Sequence, residues 1–341
     1  MLLPFALTLF CLFNSVKAEI IKDLRTEKIW FQNGCDIYTL NRTVRKYPGS
    51  MCIFLDDGSF ISSTDNSIRR FTPKKTVQWE IAGNFHHQMN LSLDKSSLLV
   101  LSSELVNSKS IERNDVFLRI GLDGKILGRK SAIEIMKEKK LWPLYWDNEP
   151  LLKVMKADVE TSHFNSIYEI PENTHSRTVP YLKAGNVIVN SLSLGIFILS
   201  PDFEQTLYHK TFSFSQDHTV HDVQVDANGE FLFFNNDNLN NTKNRIYHSA
   251  IQRFDPVKDV ISFEYTAKEK EHFFSPSCGG VQDFDNYLFI SRLMSGGLLY
   301  SKSEKKVILG IPGAPSNPTQ FRPTQQLKLI YPRLFFQKSM F

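Results

Sequence analysis

Hydrophobic and polar positions alternate along most of this chain in short runs, and turn residues separate the runs. Residues 216–266 show the pattern most fully. His221 opens an alternating segment through Val223 and Val225, which reaches the turn Asp226-Ala227-Asn228-Gly229. The apolar run 231–234, a polar loop, residues 250–254, the turn at Asp255-Pro256 and residues 260–265 complete a four-stranded antiparallel meander. A lone meander cannot bury both of its faces, so copies must pack on one another.

The copies are present. One runs from Met51 through Asp56-Asp57-Gly58 to Ile81, and a second from His86-His87 through Asp94-Lys95 and Asp123-Gly124 to Leu127. A third starts at His163-Phe164-Asn165 and ends near His209; the fourth is the opening example; the fifth spans 274–309. Two strand-like stretches at the C-terminal end (326–331 and 333–336), with one or two at the N-terminal end, are expected to complete a sixth unit shared between the termini. Spread over six units, the chain gives roughly fifty residues each, a propeller-like period. The expected fold is all-β, a single six-bladed β-propeller over residues 19–341, with a β-sandwich as the competing architecture. Residues 131–158 break the pattern. Helical spacing over 132–140 followed by Leu141-Trp142-Pro143 reads as a short helical insertion between the second and third blades.

Composition narrows the function classes. Of 341 residues, 42% are hydrophobic and 27 are Phe, enough for a large core. The 40 basic and 36 acidic residues are well mixed, which gives no footprint for nucleic acid. Residues 1–18 carry an apolar run too short to span a bilayer, and Val16-Lys17-Ala18 resembles a cleavage site, so a secretory signal cut before Glu19 is expected, and an exported (periplasmic or secreted) product without a membrane span. Cys35 and Cys52 are then a possible pair in an oxidising compartment, with Cys278 left over. No nucleotide-binding, nucleophile-elbow or HExxH pattern is present, and no cofactor is expected.

Candidate chemistry lies in the nine histidines. His87, His163 and His221 stand at the start of the first strand of three consecutive repeats. In a propeller the first strand is innermost, so these three are expected to converge on one mouth of the central channel, with His86 and His218 nearby. His175, His209, His248 and His272 fall in loops or outer strands, and Arg245 lies in the polar loop of the fourth unit. Three converging imidazoles also raise a zinc centre as a reading, although the close ligand pairs of such sites are missing.

The segments DVETSHFNSIYEI, HTVHDVQVDANGEFLFFNND with YHSAIQRFDP, and FFSPSCGGVQDFDNYLFIS resemble those of exported, bacterial-type aryl sulfotransferases. The resemblance implies a six-bladed propeller that moves a sulfuryl group from an aryl sulfate to a phenol, with no nucleotide donor, through a transiently sulfated histidine. It implies channel roles for His163 and His221, less specifically for His87, and for Arg245 as the arginine that binds sulfate oxygens. One departure stands out. The family's nucleophilic histidine belongs to the blade after the H-D-V blade, where this chain has Ser275-Pro276-Ser277-Cys278-Gly279-Gly280. His272 is the nearest substitute, and a non-catalytic binding or scaffold propeller is the alternative function.

Overall fold

Turns rich in Asp, Asn and Gly punctuate the chain, and between them the β-branched and aromatic runs pair as hairpins. The structure, a computed structural model, describes residues 30–33, 35–38, 43–64, 66–105, 113–141, 162–192, 194–211, 220–236, 249–266, 275, 279–284, 286–292, 296–311 and 327–330. Strands β1 (Trp30–Asn33), β2 (Asp36–Tyr38) and β3 (Thr43–Lys46) come first. Sheet 1 is β4 (Met51–Phe54), β5 (Phe60–Ser63), β6 (Ser67–Phe71) and β7 (Val77–Ala82). Sheet 2 is β8 (Asn84–Leu91), β9 (Ser97–Leu105), β10 (Arg113–Gly121) and β11 (Ile126–Ser131), followed by helix α1 (Ala132–Glu138). Sheet 3 is β12 (Phe164–Glu169), β13 (Val187–Ser191), β14 (Gly195–Leu199) and β15 (Thr206–Lys210). Sheet 4 is β16 (Val220–Val225), β17 (Phe231–Asn235), β18 (Ala250–Asp255) and β19 (Val260–Thr266). Sheet 5 is β20 (Gly280–Phe284), β21 (Tyr287–Arg292), β22 (Gly296–Ser301) and β23 (Lys306–Ile311).

The last strand, β24 (Leu327–Ile330), pairs antiparallel with β1 and makes a sheet in the order β24-β1-β2-β3. Among the described residues the termini are thus joined as one C-terminal and three N-terminal strands, where the sequence suggested two and one or two. Residues 333–336 lie outside the described residues. The first strands of successive sheets lie side by side, β4 on β8, β8 on β12, β12 on β16, β16 on β20 and β20 on β24. Four-stranded sheets stacked through their first strands are the architecture of a β-propeller. Cys35, in the β1–β2 turn, is disulfide-bonded to Cys52 on β4, which ties the closing sheet to sheet 1.

The core lies between the sheets. Phe117, Phe164 and Phe197 fill the gap between sheets 2 and 3, and Val223, Phe231 and Ile198 fill that between sheets 3 and 4. Burying each such side chain contributes roughly 1.5–3 kcal/mol. A third-strand arginine recurs in register and reaches across to the following sheet. Arg70 on β6 donates to the Leu122 carbonyl at 2.9 Å, Arg119 on β10 to Glu169 at 3.0 Å, and Arg253 on β18 to Asp283 at 2.6 Å. Helix α1 is capped by Ser131, which accepts from the Glu134 N–H at 3.3 Å while the Glu134 carboxylate accepts from the Ser131 N–H at 2.7 Å. This is the expected insertion; its residues 142–158 lie outside those described. Among the described residues no helix is long and apolar enough to cross a membrane.

Candidate active site

In sheets 1 to 5 the inner strand has a left-handed backbone position in its first half or just before it. These are, in order, Gly49 (φ 114°), His87 (φ 53°), His163 (φ 44°), Asp222 (φ 56°) and Gly279 (φ 132°). Glycine adopts such angles freely, and at Gly279 a Cβ would come within 2.8 Å of the Phe234 ring. Three sheets instead hold His or Asp there, at a cost of order 1–3 kcal/mol each, which is tolerated where a side chain is needed at that point. In β8, β12 and β16 the pairing register also shifts beside this position. Such bulges re-aim the adjoining side chains.

The three histidines enter the inner strands at different points. His163 immediately precedes β12, His87 lies in the bulge of β8 between Phe85 and Met89, and His221 is paired inside β16 with Phe234. They are nevertheless brought together. The rings of His87 and His163 meet edge to face, with centroids 4.7 Å apart, and His86 meets His87 at 4.9 Å.

Four imidazoles from three sheets thus form one cluster. His87 is pushed well below the usual histidine range, first by burial and then by His86, His163 and His221. His221 is 9% exposed, and its pKa falls from 6.5 to about 4, through burial and the nearby His163, despite a hydrogen bond to Asn236. That bond spans 2.6 Å between Nδ1 of His221 and Oδ1 of Asn236. The Asn236 amide nitrogen donates to the Ser275 carbonyl at 2.7 Å, which fixes the amide orientation. Nδ1 of His221 therefore carries the hydrogen, and Nε2 carries the lone pair. Ser275 opens the segment in which the family resemblance expects a nucleophile; here its carbonyl braces His221 instead.

Two buried carboxylates set the cluster in place, and neither stands out in the sequence. Asp115 on β10, 1% exposed, accepts from Ser162 Oγ at 2.6 Å and from the Phe164 N–H at 3.0 Å, so it clamps the backbone on both sides of His163. Its other oxygen lies 3.2 Å from Nε2 of His86. Burial raises the Asp115 carboxyl, but the contacts with His86, Ser162 and Phe164 outweigh it and hold the pKa below the usual value. Asp222, 3% exposed, binds three sheets besides its own. It accepts from Gln88 at 3.0 Å, from the Val281 N–H at 2.7 Å and from the Tyr168 hydroxyl. The Tyr168 phenol is pushed well above its ordinary value, by burial and then by this carboxylate. The clue for both was a charged residue inside an alternating strand pattern, which rarely survives unpartnered.

The remaining candidates stand apart. His209 stacks on Phe197 at 4.3 Å and bonds the Leu194 carbonyl at 2.9 Å, a packing role. His175 sits in a turn where its N–H donates to Asn173 at 3.0 Å. Arg245, His218, His248 and His272 lie outside the described residues. Among the described residues no three His, Cys, Asp or Glu side chains are grouped as a metal ion would need.

The sequence pattern of the arylsulfotransferase (ASST) family matches residues 50–312. No curated protein is significantly similar to the chain. Among solved structures, a protein of unknown function from Bacteroides caccae aligns over 83% of this chain and 93% of its own, at TM-score 0.51 and 14% identity. The dihydro-heme d1 dehydrogenase NirN in complex with DHE aligns at TM-score 0.43 and 12% identity, covering 84% and 54% of the two chains. The Pan2 WD40 domain of Neurospora crassa aligns at TM-score 0.43 and 11% identity, covering 82% and 75%. The family match runs from the residue before β4 to the one after β23, most of the chain's length, and so the chain belongs to the arylsulfotransferase family.

Proposed function

We propose that this protein is an exported enzyme that moves a sulfuryl group from an aryl sulfate to a phenol at the histidine cluster, with His221 as the sulfuryl carrier. One observation carries the reading. His221 is held neutral, with a pKa near 4, and Asn236 keeps the hydrogen on Nδ1, so Nε2 has its lone pair available at neutral pH. In the first half-reaction Nε2 bonds to sulfur, the S–O bond of the donor breaks, and the departing phenoxide takes a proton from a neighbouring imidazole. In the second, an acceptor phenol gives up its proton and attacks sulfur, and the N–S electron pair returns to His221. Sulfuryl transfer, like phosphoryl transfer, depends on in-line positioning and on cations for the equatorial oxygens. Arg245 is the proposed cation. His87 and His163 are the proposed proton partners of the reacting oxygens.

The test is transfer from 4-nitrophenyl sulfate to phenol, with a mass-spectrometric search for a sulfated histidine after donor exposure. The expected result is an adduct on His221 and loss of transfer in His221→Ala. The residues 275–280, which lack a histidine, favour a second reading, a propeller that binds aryl sulfates without turning them over. Measurable binding of such esters with no transfer would establish it in place of the enzyme.

A further inference from the structure

His87 and His221 are each followed by a residue whose side chain leaves its own sheet, and the two side chains meet. Gln88 and Asp222, both 3% exposed, are hydrogen-bonded across 134 positions of sequence, Nε2 of Gln88 donating to Oδ1 of Asp222 at 3.0 Å. The amide is held in that sense because its Oε1 accepts from the Ile167 N–H at 2.7 Å. Nε2 of Gln88 also donates to the Tyr168 hydroxyl at 2.7 Å, and that hydroxyl donates in turn to Oδ1 of Asp222. Oδ2 accepts from the Val281 N–H at 2.7 Å and from Gln224 at 3.3 Å. Four donors around two oxygens suit an ionised carboxylate, which only accepts. A carboxamide in its place would turn an NH2 group toward one of those donors.

The bond falls where the strands lack their own guide. Pairing of β8 with β9 shifts register between Phe85 and Met89, and that of β16 with β17 between His221 and Gln224. Across such breaks the ladder no longer fixes the backbone, and His87 and Asp222 take left-handed φ angles of 53° and 56° there. Side-chain bonds to neighbouring sheets then decide where the two imidazoles stand. We infer that Gln88 and Asp222 are positioning residues whose mutual hydrogen bond sets the separation of His87 and His221. The inference rests on the proposed sulfuryl transfer, in which the carrier nitrogen and the proton partner must both reach one sulfate ester. In an in-line displacement the attacking nitrogen and the departing oxygen lie on opposite sides of sulfur, so the spacing of the two histidines has to match that axis. A misplacement of about 1 Å costs on the order of 100-fold in rate. Gln88 and Asp222 act through the histidines that precede them, not on the substrate.

Two variants of the full chain separate positioning from packing. Gln88→Met removes the bond to Asp222 at similar volume. Arg70→Met removes the bond to the Leu122 carbonyl at 2.9 Å, a tie between sheets 1 and 2 that no histidine adjoins in sequence. Both are expected to lower the urea midpoint. With 4-nitrophenyl sulfate and phenol, only Gln88→Met is expected to lose kcat, by roughly 100-fold, with KM within about threefold of the wild type. Relaxation-dispersion NMR of the imidazole carbons reads the same loosening without turnover. The His87 and His221 rings are expected to show microsecond-to-millisecond exchange in Gln88→Met, and none in the wild type or in Arg70→Met. Asp222→Asn, which keeps the volume and spoils the acceptor pair, repeats the test and is expected to behave as Gln88→Met does. Unchanged kcat in Gln88→Met, equal falls in Gln88→Met and Arg70→Met, or ring exchange in both overturns the inference. Failure of both Gln88→Met and Asp222→Asn to fold reduces the bond to a packing role and overturns it too. If the wild type turns over no aryl sulfate, ring exchange confined to Gln88→Met upholds the positioning and refutes sulfuryl transfer, whereas its absence overturns both.

Discussion

Replacing His163 by glycine and, separately, by alanine measures the strain built into the entry to β12. The backbone there has φ 44°, clamped on either side by the Asp115 bonds to Ser162 and Phe164. An L-residue in this region costs roughly 1–2 kcal/mol, which glycine avoids. Glycine in turn gives up about 0.5–1 kcal/mol of unfolded-chain freedom that alanine does not. The difference favours the glycine variant by about 0.5–1 kcal/mol, the reverse of the order in an ordinary strand. Both variants lack the imidazole, so the lost ring contact with His87 cancels in the comparison. The same pair of changes made separately at His87, where φ is 53°, is expected to give a gap of the same sign. Urea unfolding, read as a shift in midpoint at constant slope, gives the number. Gln78, on the exposed strand β7, is the control, and there alanine is expected to be the more stable choice. If alanine also wins at 163, the clamp does not impose a left-handed backbone, and the account of why histidine there is strained fails.

The low pKa of His221 makes stability pH-dependent. The unfolded chain takes up a proton near 6.5 and the folded one only near 4, so folding is favoured above 6.5 and loses ground as the pH falls through that window. Between pH 7.5 and 5 the loss expected from His221 is about 2 kcal/mol by urea unfolding, and His221→Gln is expected to flatten the profile by that amount; an unchanged profile refutes a buried neutral His221. Reducing the Cys35–Cys52 bond, which closes a loop with a sequence separation of 17, is expected to lower stability by about 3 kcal/mol, with Cys35→Ser giving the same value. An unaltered urea midpoint under reductant would mean that pairing of β1 with β24 alone secures the closing sheet.

The repeats were legible because turn chemistry is local. Asp56-Asp57-Gly58, Asp123-Gly124 and Asp226-Ala227-Asn228-Gly229 mark hairpins wherever they occur, and alternation between them fixes which faces are buried. Helical spacing over 132–140 was legible in the same way. What eluded the sequence was non-local. No glycine marks the left-handed positions at His87, His163 and Asp222, and the bulges beside them are set by pairing partners far along the chain. Asp115 meets its partners Ser162 and Phe164 only after sheets 2 and 3 pack, because they are separated by 47 and 49 positions. The division of the closing sheet was hidden for the same reason, since the short strands β1 to β3 carry weak patterns and find their fourth member at the far end of the chain.

That long reach orders events during synthesis. Strands β1 to β3 are made first, yet the strand that covers the free edge of β1 emerges among the last residues, so this edge stays open while five complete sheets assemble beside it. An open edge invites pairing with another nascent chain. The Cys35–Cys52 link needs only residues from the opening sixth of the chain, and can form long before β24 arrives. It acts as an early mooring that keeps the waiting strands against sheet 1 until the circle can be shut.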